Sequence, residues 1–386
     1  MDTKNLDQNY IANTYARFDL VADRGKGAVV YDENGKRYID LGSGIAVCSF
    51  GMADDHWVAA VTEQLGRLQH MSNLYYTAPQ TKLAKLLCEK TGMSRVFFCN
   101  SGAEANECAI KAARKYSSDK YGPGRSKIVS LINSFHGRTI ATLSATGQEA
   151  LHVDFDPFLP GFAHVPANDF ETMKTACDDS VCAIMMELVQ GEGGVIPLDR
   201  DYVAAVSEMA AERDILLIID EVQTGNGRTG SLYAYMQYEI KPDIVTTAKG
   251  LAGGLPMGAA LLGEKLKDTL TPGSHGSTFG GNPVCTAGAI SVISRLDEEF
   301  LASVRAKGEY IKNALKGAKG VLGVTGMGLM IGISIDKPAK AAAARCIEAG
   351  AIVLTAHEKL RLLPPLNIGM DELREGIEIL KGVLAQ

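Results

Sequence analysis

The strongest constraint on the fold is an alternation of two hydrophobic patterns between residues 95 and 263. Short apolar runs bounded by turn residues predict buried strands, and longer stretches with apolar residues three or four positions apart predict helices. We predict helices at 104–115 and 202–213 and strands at 95–99, 127–132, 181–186, 215–219, 243–247 and 258–263. Strands that alternate with helices favour a mainly parallel α/β sheet with helices on its faces.

The two ends of the chain follow other patterns. Residues 28–40 predict a hairpin, because Asn34-Gly35 stands between two strand-like runs. After about residue 286, a long helical stretch precedes short apolar runs, as is typical of a smaller α+β domain. Because 386 residues exceed one comfortable hydrophobic core, we predict several parts. These are an N-terminal segment (1–55) that packs with the small domain, a large α/β domain (56–280) and the small α+β domain (281–386).

Composition argues against several classes of function. The net charge of -6 disfavours binding to nucleic acid. No apolar stretch approaches the ~20 residues that span a membrane, and the N-terminus has no secretory pattern. The seven histidines form no metal-binding motif, and the eight cysteines form no CxxC pair. We therefore expect a cytoplasmic protein with no metal, no membrane and no nucleic-acid partner.

Two charged residues end neighbouring predicted strands. Asp220 follows the run 215–219, and Lys249 follows the run 243–247. The carboxyl ends of parallel strands meet at one edge of a sheet, where ligands bind. The pair could form a plain salt bridge. Alternatively, the lysine could bond covalently to pyridoxal phosphate while the acid pairs with the pyridine nitrogen. These two residues leave both alternatives open.

Other strand ends carry further polar groups. Ser101 and Asn100 precede a helix, where they could cap it or could help to hold a phosphate with the free N–H groups. Phe135 and Arg138 could stack on a planar ring and bind a carboxylate, or could be an ordinary core side chain and a surface arginine. The segment 275–283 is rich in glycine and hydroxyl groups, and it could reach a phosphate or be an interdomain loop.

Two further segments, one acidic and one rich in glycine, each allow more than one interpretation. Glu187 and Glu192 could serve acid–base chemistry, cap turns or pair with arginines. The segment from Gly225 to Gly230 contains a GxGxxG pattern, but the glycines begin five residues past the predicted strand and no long helix follows. We therefore interpret it as something other than a dinucleotide-binding turn.

Together these segments resemble the class III aminotransferases, and within them the ornithine/acetylornithine subgroup of the fold-type I pyridoxal-phosphate enzymes. The similarity extends over nearly the whole chain. It is carried by five motifs in the family's order, which are Asn-Ser-Gly-Ala-Glu-Ala-Asn (100–106), Phe-His-Gly-Arg (135–138), Gln-Gly-Glu-Gly-Gly (190–194), Asp-Glu-Val-Gln-Thr-Gly-x-Gly-Arg-Thr-Gly (220–230) and Ala-Lys-Gly (248–250). The resemblance implies a large domain with a mainly parallel seven-stranded sheet beside the small α+β domain.

The resemblance also implies a cofactor, pyridoxal 5'-phosphate, and residues that hold it. Lys249 would bond to the aldehyde and move the reacting proton, and Asp220 would pair with the ring nitrogen. Gln223 would bind the phenolic oxygen. His136 would support the cofactor contacts without touching the cofactor, and Glu187 would support His136 and Arg138. The remaining cofactor contacts would be Ser101, Gly102 and Ala103 at the phosphate, Phe135 on the ring and Thr278 from the neighbouring subunit of a homodimer.

The substrates implied are acetylornithine and 2-oxoglutarate, as in arginine biosynthesis. Arg138 would bind the carboxylate far from the reacting carbon, and Arg361 would bind the carboxylate next to it. Glu192 would neutralise Arg361 when the amine substrate is bound, and Tyr15 would add a carboxylate contact. Ile45 stands where ornithine aminotransferases tend to carry Tyr, which favours acetylornithine. Succinylornithine, ornithine and 4-aminobutyrate remain alternative substrates, and a nicotinamide-dependent oxidoreductase is the rival from another enzyme class.

Overall fold

The computed structural model describes residues 2–386. The helices are α1 Thr3–Tyr10, α2 Ser43–Ala46, α3 Asp55–Leu65, α4 Ala78–Thr91, α5 Gly102–Tyr121, α6 Ile140–Ala145, α7 Phe170–Ala176, α8 Arg200–Glu212, α9 Pro283–Ile293, α10 Glu298–Leu315, α11 Ala339–Glu348 and α12 Met370–Leu384. The strands are β1 Ala22–Lys26, β2 Val29–Asp32, β3 Arg37–Asp40, β4 Arg95–Cys99, β5 Lys127–Leu131, β6 Phe162–Val165, β7 Val181–Met186, β8 Val189–Gln190, β9 Ile196–Pro197, β10 Leu216–Asp220, β11 Ile244–Thr247, β12 Gly258–Leu262, β13 Val321–Met327, β14 Met330–Ile335, β15 Ala351–Ile352, β16 Leu354–Ala356 and β17 Lys359–Leu362.

The large sheet has seven strands in the order β4-β12-β11-β10-β7-β5-β6. Only β12 runs against its neighbours, so the predicted mainly parallel sheet is confirmed. The six strands predicted from the sequence are all present, with ends that differ by one residue at most. The seventh, Phe162–Val165, was missed because its four residues include a histidine and form too short an apolar run.

The central strands are buried on both faces. Every residue of β7, β10 and β11 is buried. Their side chains alternate between two hydrophobic clusters, with Ile184 and Ile219 in one and Ala183 and Ile218 in the other. This burial explains their continuous apolar runs, since helices cover both faces of a parallel sheet.

The N-terminal hairpin is joined to the C-terminal part of the chain. Strands β2 and β3 pair around Asn34-Gly35, and Gly35 has the positive φ (81°) that the turn requires. Strand β3 pairs in parallel with β15, so one sheet contains residues from both ends of the chain. A second antiparallel sheet has the order β13-β14-β17-β16.

The strand pairing bears on the predicted domain bounds without testing them. The pairing of β3 with β15 supports a segment 1–55 that packs with the part 281–386, although Met1 lies outside the described residues. The three bounds stay a prediction. No helix within residues 2–386 combines the length and the apolarity needed to cross a membrane.

Candidate active site

A cavity of about 420 Å³ opens at the carboxyl ends of the central strands. Its volume is in the range of small-molecule sites. Ten of the predicted site residues line it, namely Ser101, Gly102, Ala103, Phe135, His136, Arg138, Glu187, Asp220, Gln223 and Lys249. Three features converge on this edge: strand β10, strand β11 and the first turn of α5. The structure therefore brings together residues that are up to 148 positions apart, from Ser101 to Lys249.

Lys249 lies two residues beyond the end of β11, with a left-handed backbone (φ 44°). Burial lowers the pKa of its ammonium group, because the protein interior solvates the charge poorly. The nearby Glu192 and Asp220 oppose this shift, and Arg361 adds to it. A lowered pKa makes the neutral, nucleophilic amine more available.

Asp220, the last residue of β10, is held by three donors. One carboxylate oxygen accepts from the Asn106 side-chain amide at 2.7 Å and lies 2.8 Å from His136 Nδ1. The other accepts from the Val222 N–H at 3.0 Å. Because a carboxylate only accepts, His136 Nδ1 must carry the proton that it donates. The three bonds fix the orientation of a carboxylate that is only 3% exposed.

The first turn of α5 is capped by a side chain and also leaves backbone N–H groups free. Ser101 caps the helix, since its Oγ accepts from the Glu104 N–H at 3.2 Å. Asn100 instead donates its backbone and side-chain N–H groups to the Glu104 carboxylate. The N–H groups of Gly102 and Ala103 have no carbonyl partner within the helix, because they belong to its first turn. These two groups line the cavity and are suited to an anion.

Arg361 and Glu192 form a bidentate ion pair at the site. The Nη1–Oε1 and Nη2–Oε2 distances are 2.6 and 3.2 Å, and the Arg361 side chain is 4% exposed. Gln223 joins the pair, because its Oε1 accepts from Arg361 and its Nε2 donates to Glu192. Burial opposes ionisation of Glu192, but the positive charge of Arg361 outweighs it and lowers the pKa of that carboxyl.

Glu187 closes the turn behind the cavity. Its carboxylate accepts from the N–H groups of Phe135 and Gly191, at 2.9 and 3.3 Å. Burial raises the pKa of Glu187 to about 7, with Asp220 adding to the shift and His136 opposing it. Of the alternatives, Glu187 therefore caps turns and Glu192 pairs with an arginine. Among the described residues, Glu187 makes no hydrogen bond to Arg138, whose guanidinium lies 5.6 Å from the Phe135 ring.

Four predicted residues do not line this cavity. Two of them, Arg361 and Glu192, bond to Gln223 of its wall, and the other two are Thr278 and Tyr15. Thr278 is exposed on the loop before α9. Tyr15 is 68% exposed, with the Arg17 guanidinium 5.4 Å from its ring. Neither lines the cavity of its own chain. The predicted roles of both residues stay predictions.

Sequence reasoning missed several residues that line the cavity, and two of them, Asn106 and Val222, shape the site. Asn106 holds Asp220 and also donates to the His136 carbonyl. The signal was its spacing, because Asn106 lies four residues after Gly102 and so on the same face of the helix. Val222 lines the cavity between two predicted residues, and a Cβ on Gly102 would lie 2.7 Å from its methyl group. Glycine is therefore required for the helix to approach this wall.

The GxGxxG segment is hydrogen-bonded to distant segments of the chain. Residues 221–233 form turns without an α-helix, as expected. Gly227 and Gly230 have φ values of 88° and 89°. Arg228 between them is fully buried and donates to the carbonyls of Leu329 and Pro364.

The groups at the cavity fit the cofactor that the resemblance implies. A buried amine with a lowered pKa suits an aldehyde. An oriented carboxylate suits a ring nitrogen, and the free N–H groups of a helix suit a phosphate. Within residues 2–386, no group of three or more His, Cys, Asp or Glu side chains is arranged to hold a metal ion.

Comparisons with known proteins agree with the geometry. The family model for class III aminotransferases matches residues 10–384. The acetylornithine aminotransferase of Haemophilus ducreyi is 54% identical over 99% of this chain and 98% of its own length. That of Aquifex aeolicus is 45% identical over 97% of this chain and 100% of its own length.

Solved structures are similar over the same extent. An ornithine aminotransferase from Toxoplasma gondii superposes with a TM-score of 0.95 at 31% identity, covering 99% of this chain and 94% of its own. An N-acetylornithine aminotransferase from Stenotrophomonas maltophilia gives 0.86 at 36% identity, with 99% and 98% covered. A second Toxoplasma gondii structure contains pyridoxal phosphate at partial occupancy in its active site. Family model, relatives and fold agree over nearly the full length, and this chain belongs to the class III aminotransferases.

Proposed function

We propose that this chain is an N-acetylornithine:2-oxoglutarate 5-aminotransferase of arginine biosynthesis. The observation that carries the proposal is a cavity that brings together the buried Lys249 and the Asp220–His136 pair. The Arg361–Glu192 pair lies next to this cavity and bonds to Gln223 of its wall. Full-length relatives at up to 54% identity carry the name acetylornithine aminotransferase. The high TM-score of an ornithine aminotransferase supports the alternative, a related enzyme that acts on ornithine, succinylornithine or 4-aminobutyrate.

Pyridoxal 5'-phosphate is the cofactor. When bound, it supplies an aldehyde that bonds to amines and a ring that accepts electrons from the reacting carbon. Ser101, Gly102 and Ala103 would hold its phosphate at the positive end of α5. Asp220, oriented by His136, would hold the proton on the ring nitrogen. Phe135 would stack on the ring, and Gln223 would bind the phenolic oxygen.

Lys249 is the proposed proton carrier. Its neutral amine would carry the proton from the reacting carbon of the amine substrate to the C4′ atom of the cofactor, and in the opposite direction in the second half-reaction. Burial favours this role, because it lowers the pKa of the ammonium group and so eases its deprotonation. Both half-reactions would use this lysine. They would alternate in a ping-pong cycle, because the holoenzyme keeps the amino group after the first product has left.

The two arginines, Arg138 and Arg361, would bind the carboxylates of the substrates. Arg138 is exposed at the cavity and would bind the α-carboxylate of acetylornithine, then the γ-carboxylate of 2-oxoglutarate. Arg361 would bind the α-carboxylate of glutamate or 2-oxoglutarate in place of Glu192. The bidentate geometry of the pair suits this exchange, because Glu192 presents a carboxylate as the substrate would. Tyr15 would contribute a carboxylate contact after a rearrangement of the N-terminal segment.

The proposed assembly is a homodimer in which Thr278 reaches the phosphate of the partner subunit. The exposure of Thr278 outside its own cavity supports this arrangement. Large apolar side chains are also exposed, including Leu74 (87%), Tyr76 (99%) and Phe279 (59%). Exposed apolar groups of this size mark interaction surfaces. A cytoplasmic location is proposed as well, and the eight unpaired cysteines support it.

The test is half-reaction spectroscopy of the purified holoenzyme. Acetylornithine, succinylornithine, ornithine and 4-aminobutyrate are mixed with it in parallel, and the loss of the aldehyde-form absorbance is followed. We expect the highest second-order rate constant with acetylornithine and no reaction in the Lys249→Ala variant. A faster reaction with another amine would reassign the substrate, and the absence of a cofactor bond at Lys249 would refute the aminotransferase proposal.

A further inference from the structure

The backbone of Lys249 needs an external support. Its φ of 44° lies in the left-handed region, which residues other than glycine rarely adopt. Such a conformation persists only where surrounding contacts hold it. The direction of the Lys249 side chain depends on this backbone, so the contacts on either side of it matter for the reaction.

Asn226 holds the peptide on the N-terminal side of Lys249. Its side-chain amide donates to the Ala248 carbonyl at 3.0 Å and to Thr247 Oγ1 at 2.9 Å. A backbone carbonyl only accepts, so the amide nitrogen and not the oxygen must face Ala248. Asn226 is 2% exposed, and its own φ of 56° is one that asparagine tolerates well.

Ser49 holds the chain on the other side of Lys249, at the peptide between Gly250 and Leu251. Its Oγ donates to the Gly250 carbonyl at 3.2 Å, and the residue is 2% exposed. A Cβ on Gly250 would lie 2.6 Å from this Oγ. The left-handed residue Lys249 is therefore fixed between two side-chain hydrogen bonds from distant segments.

The hydrogen bonds of Asn226 are incomplete, so its contribution to the stability of the fold does not explain an asparagine at this position. Its Oδ1 is buried without a hydrogen-bond partner among residues 2–386, and an unpaired buried acceptor is unfavourable. An apolar side chain of similar size would avoid that cost. Besides its tolerance of a positive φ, asparagine supplies the N–H groups directed at Thr247 and Ala248.

We propose that Asn226 is a positioning residue that keeps Lys249 in its left-handed conformation and so aims its amine. This inference rests on the proposed role of Lys249. Asn226 does not line the cavity, so it acts through the lysine and not on the substrate. Since both half-reactions use Lys249, loss of the support slows both of them and leaves substrate affinity unchanged.

The experiment compares Asn226→Leu, which keeps the size and removes the donors, with Asn226→Asp, which tolerates positive φ but cannot donate as a carboxylate. We expect the maximal rate of each half-reaction to fall roughly 10- to 100-fold, because small misplacements of a reacting group have effects of that size. The substrate concentrations at half-maximal rate stay at the wild-type values. Amide hydrogen exchange in residues 244–253 of the cofactor-free chain becomes faster.

The matched control is Asn168→Leu. Asn168 is also left-handed (φ 60°), but it is exposed and its Oδ1 accepts from the Asp199 N–H. This variant keeps the wild-type rates. If Asn226→Leu does not fold, Asn226→Asp decides the question alone.

The outcomes separate this inference from the proposed function. Wild-type rates and wild-type exchange in the folded Asn226 variants overturn the inference, as does a slower reaction caused only by weaker substrate binding. A wild-type chain that forms no bond at Lys249 overturns the proposed function, whatever the variants do.

Discussion

At the scale of single residues, the Glu192–Arg361 pair is the contact on which the proposed substrate exchange depends. We predict that Glu192→Gln slows the acetylornithine half-reaction roughly 30-fold, equivalent to about 2 kcal/mol, because it leaves Arg361 buried without a negative partner. The glutamate half-reaction loses much less, since the substrate carboxylate replaces Glu192. Single-turnover kinetics with each substrate measure the difference. Equal losses would contradict the exchange, and Glu309→Gln, which removes one member of an exposed pair with Lys312, is the control.

The buried carboxyl of Glu221 predicts how the free energy of unfolding depends on pH. Burial raises the pKa of its carboxyl to about 7, although bonds from Thr224 and Tyr235 oppose the shift. In the unfolded chain the group ionises near pH 4.5, so the unfolded state loses its proton first as the pH rises. The contribution to stability is full below that pH and is lost by about pH 7, amounting to about 3 kcal/mol.

Glu221→Gln removes this ionisation while it can keep both hydrogen bonds. Between pH 4.5 and 7.5 we therefore expect the free energy of unfolding to fall less steeply in the variant than in the wild type. Chemical denaturation across this range measures the two slopes. Parallel curves for wild type and variant would show that Glu221 does not titrate on unfolding.

At the scale of elements, the loop that follows β10 connects the site to the strands that carry Arg361. Arg228 donates to the Leu329 carbonyl at 3.1 Å and to the Pro364 carbonyl at 2.5 Å, three residues after Arg361. Burial lowers the pKa of this guanidinium to about 9, and Asp40 opposes the shift. The loop is thus a buried polar connection between distant segments.

We predict that Arg228→Met destabilises the fold by about 3 kcal/mol, because two buried carbonyls lose their donor. The KM for 2-oxoglutarate rises as well, since the segment that holds Arg361 is less firmly placed. Denaturant unfolding and steady-state kinetics check the two effects. Arg374→Met, at an exposed arginine paired with Asp371, should change neither. An unchanged unfolding midpoint would show that the hydrogen bonds of Arg228 do not stabilise the fold.

At the scale of the whole molecule, the proposed dimer can be tested by mixing defective chains. Thr278→Ala should weaken cofactor binding about tenfold, because it removes a hydrogen bond to a charged phosphate. If Thr278 acts across the interface, a hybrid of Thr278→Ala with Lys249→Ala contains one intact site. We expect this hybrid to bind cofactor at Lys249 with wild-type affinity. Weak binding in the hybrid would place Thr278 in its own subunit's site.

Six of the seven strands of the large sheet, and the polar groups at its edge, could be predicted from the residues alone. The continuous apolar runs of β7, β10 and β11 were visible because burial on both faces demands them. Asp220 and Lys249 could be placed together because parallel strands end at a common edge. Ser101, Phe135 and Glu187 were found because each lies near a strand end, whereas the role of Gln223 was predicted from the family resemblance.

The partner of each polar group became known only from the folded chain. Glu187 and Glu192 had equal alternatives in the sequence, yet one caps turns and the other meets an arginine 169 residues away. The same holds for Asn106 at Asp220, Arg228 at Pro364 and Asn226 at Ala248. Local patterns record burial and backbone conformation, whereas a hydrogen bond between distant segments exists only after packing has excluded water and fixed both partners.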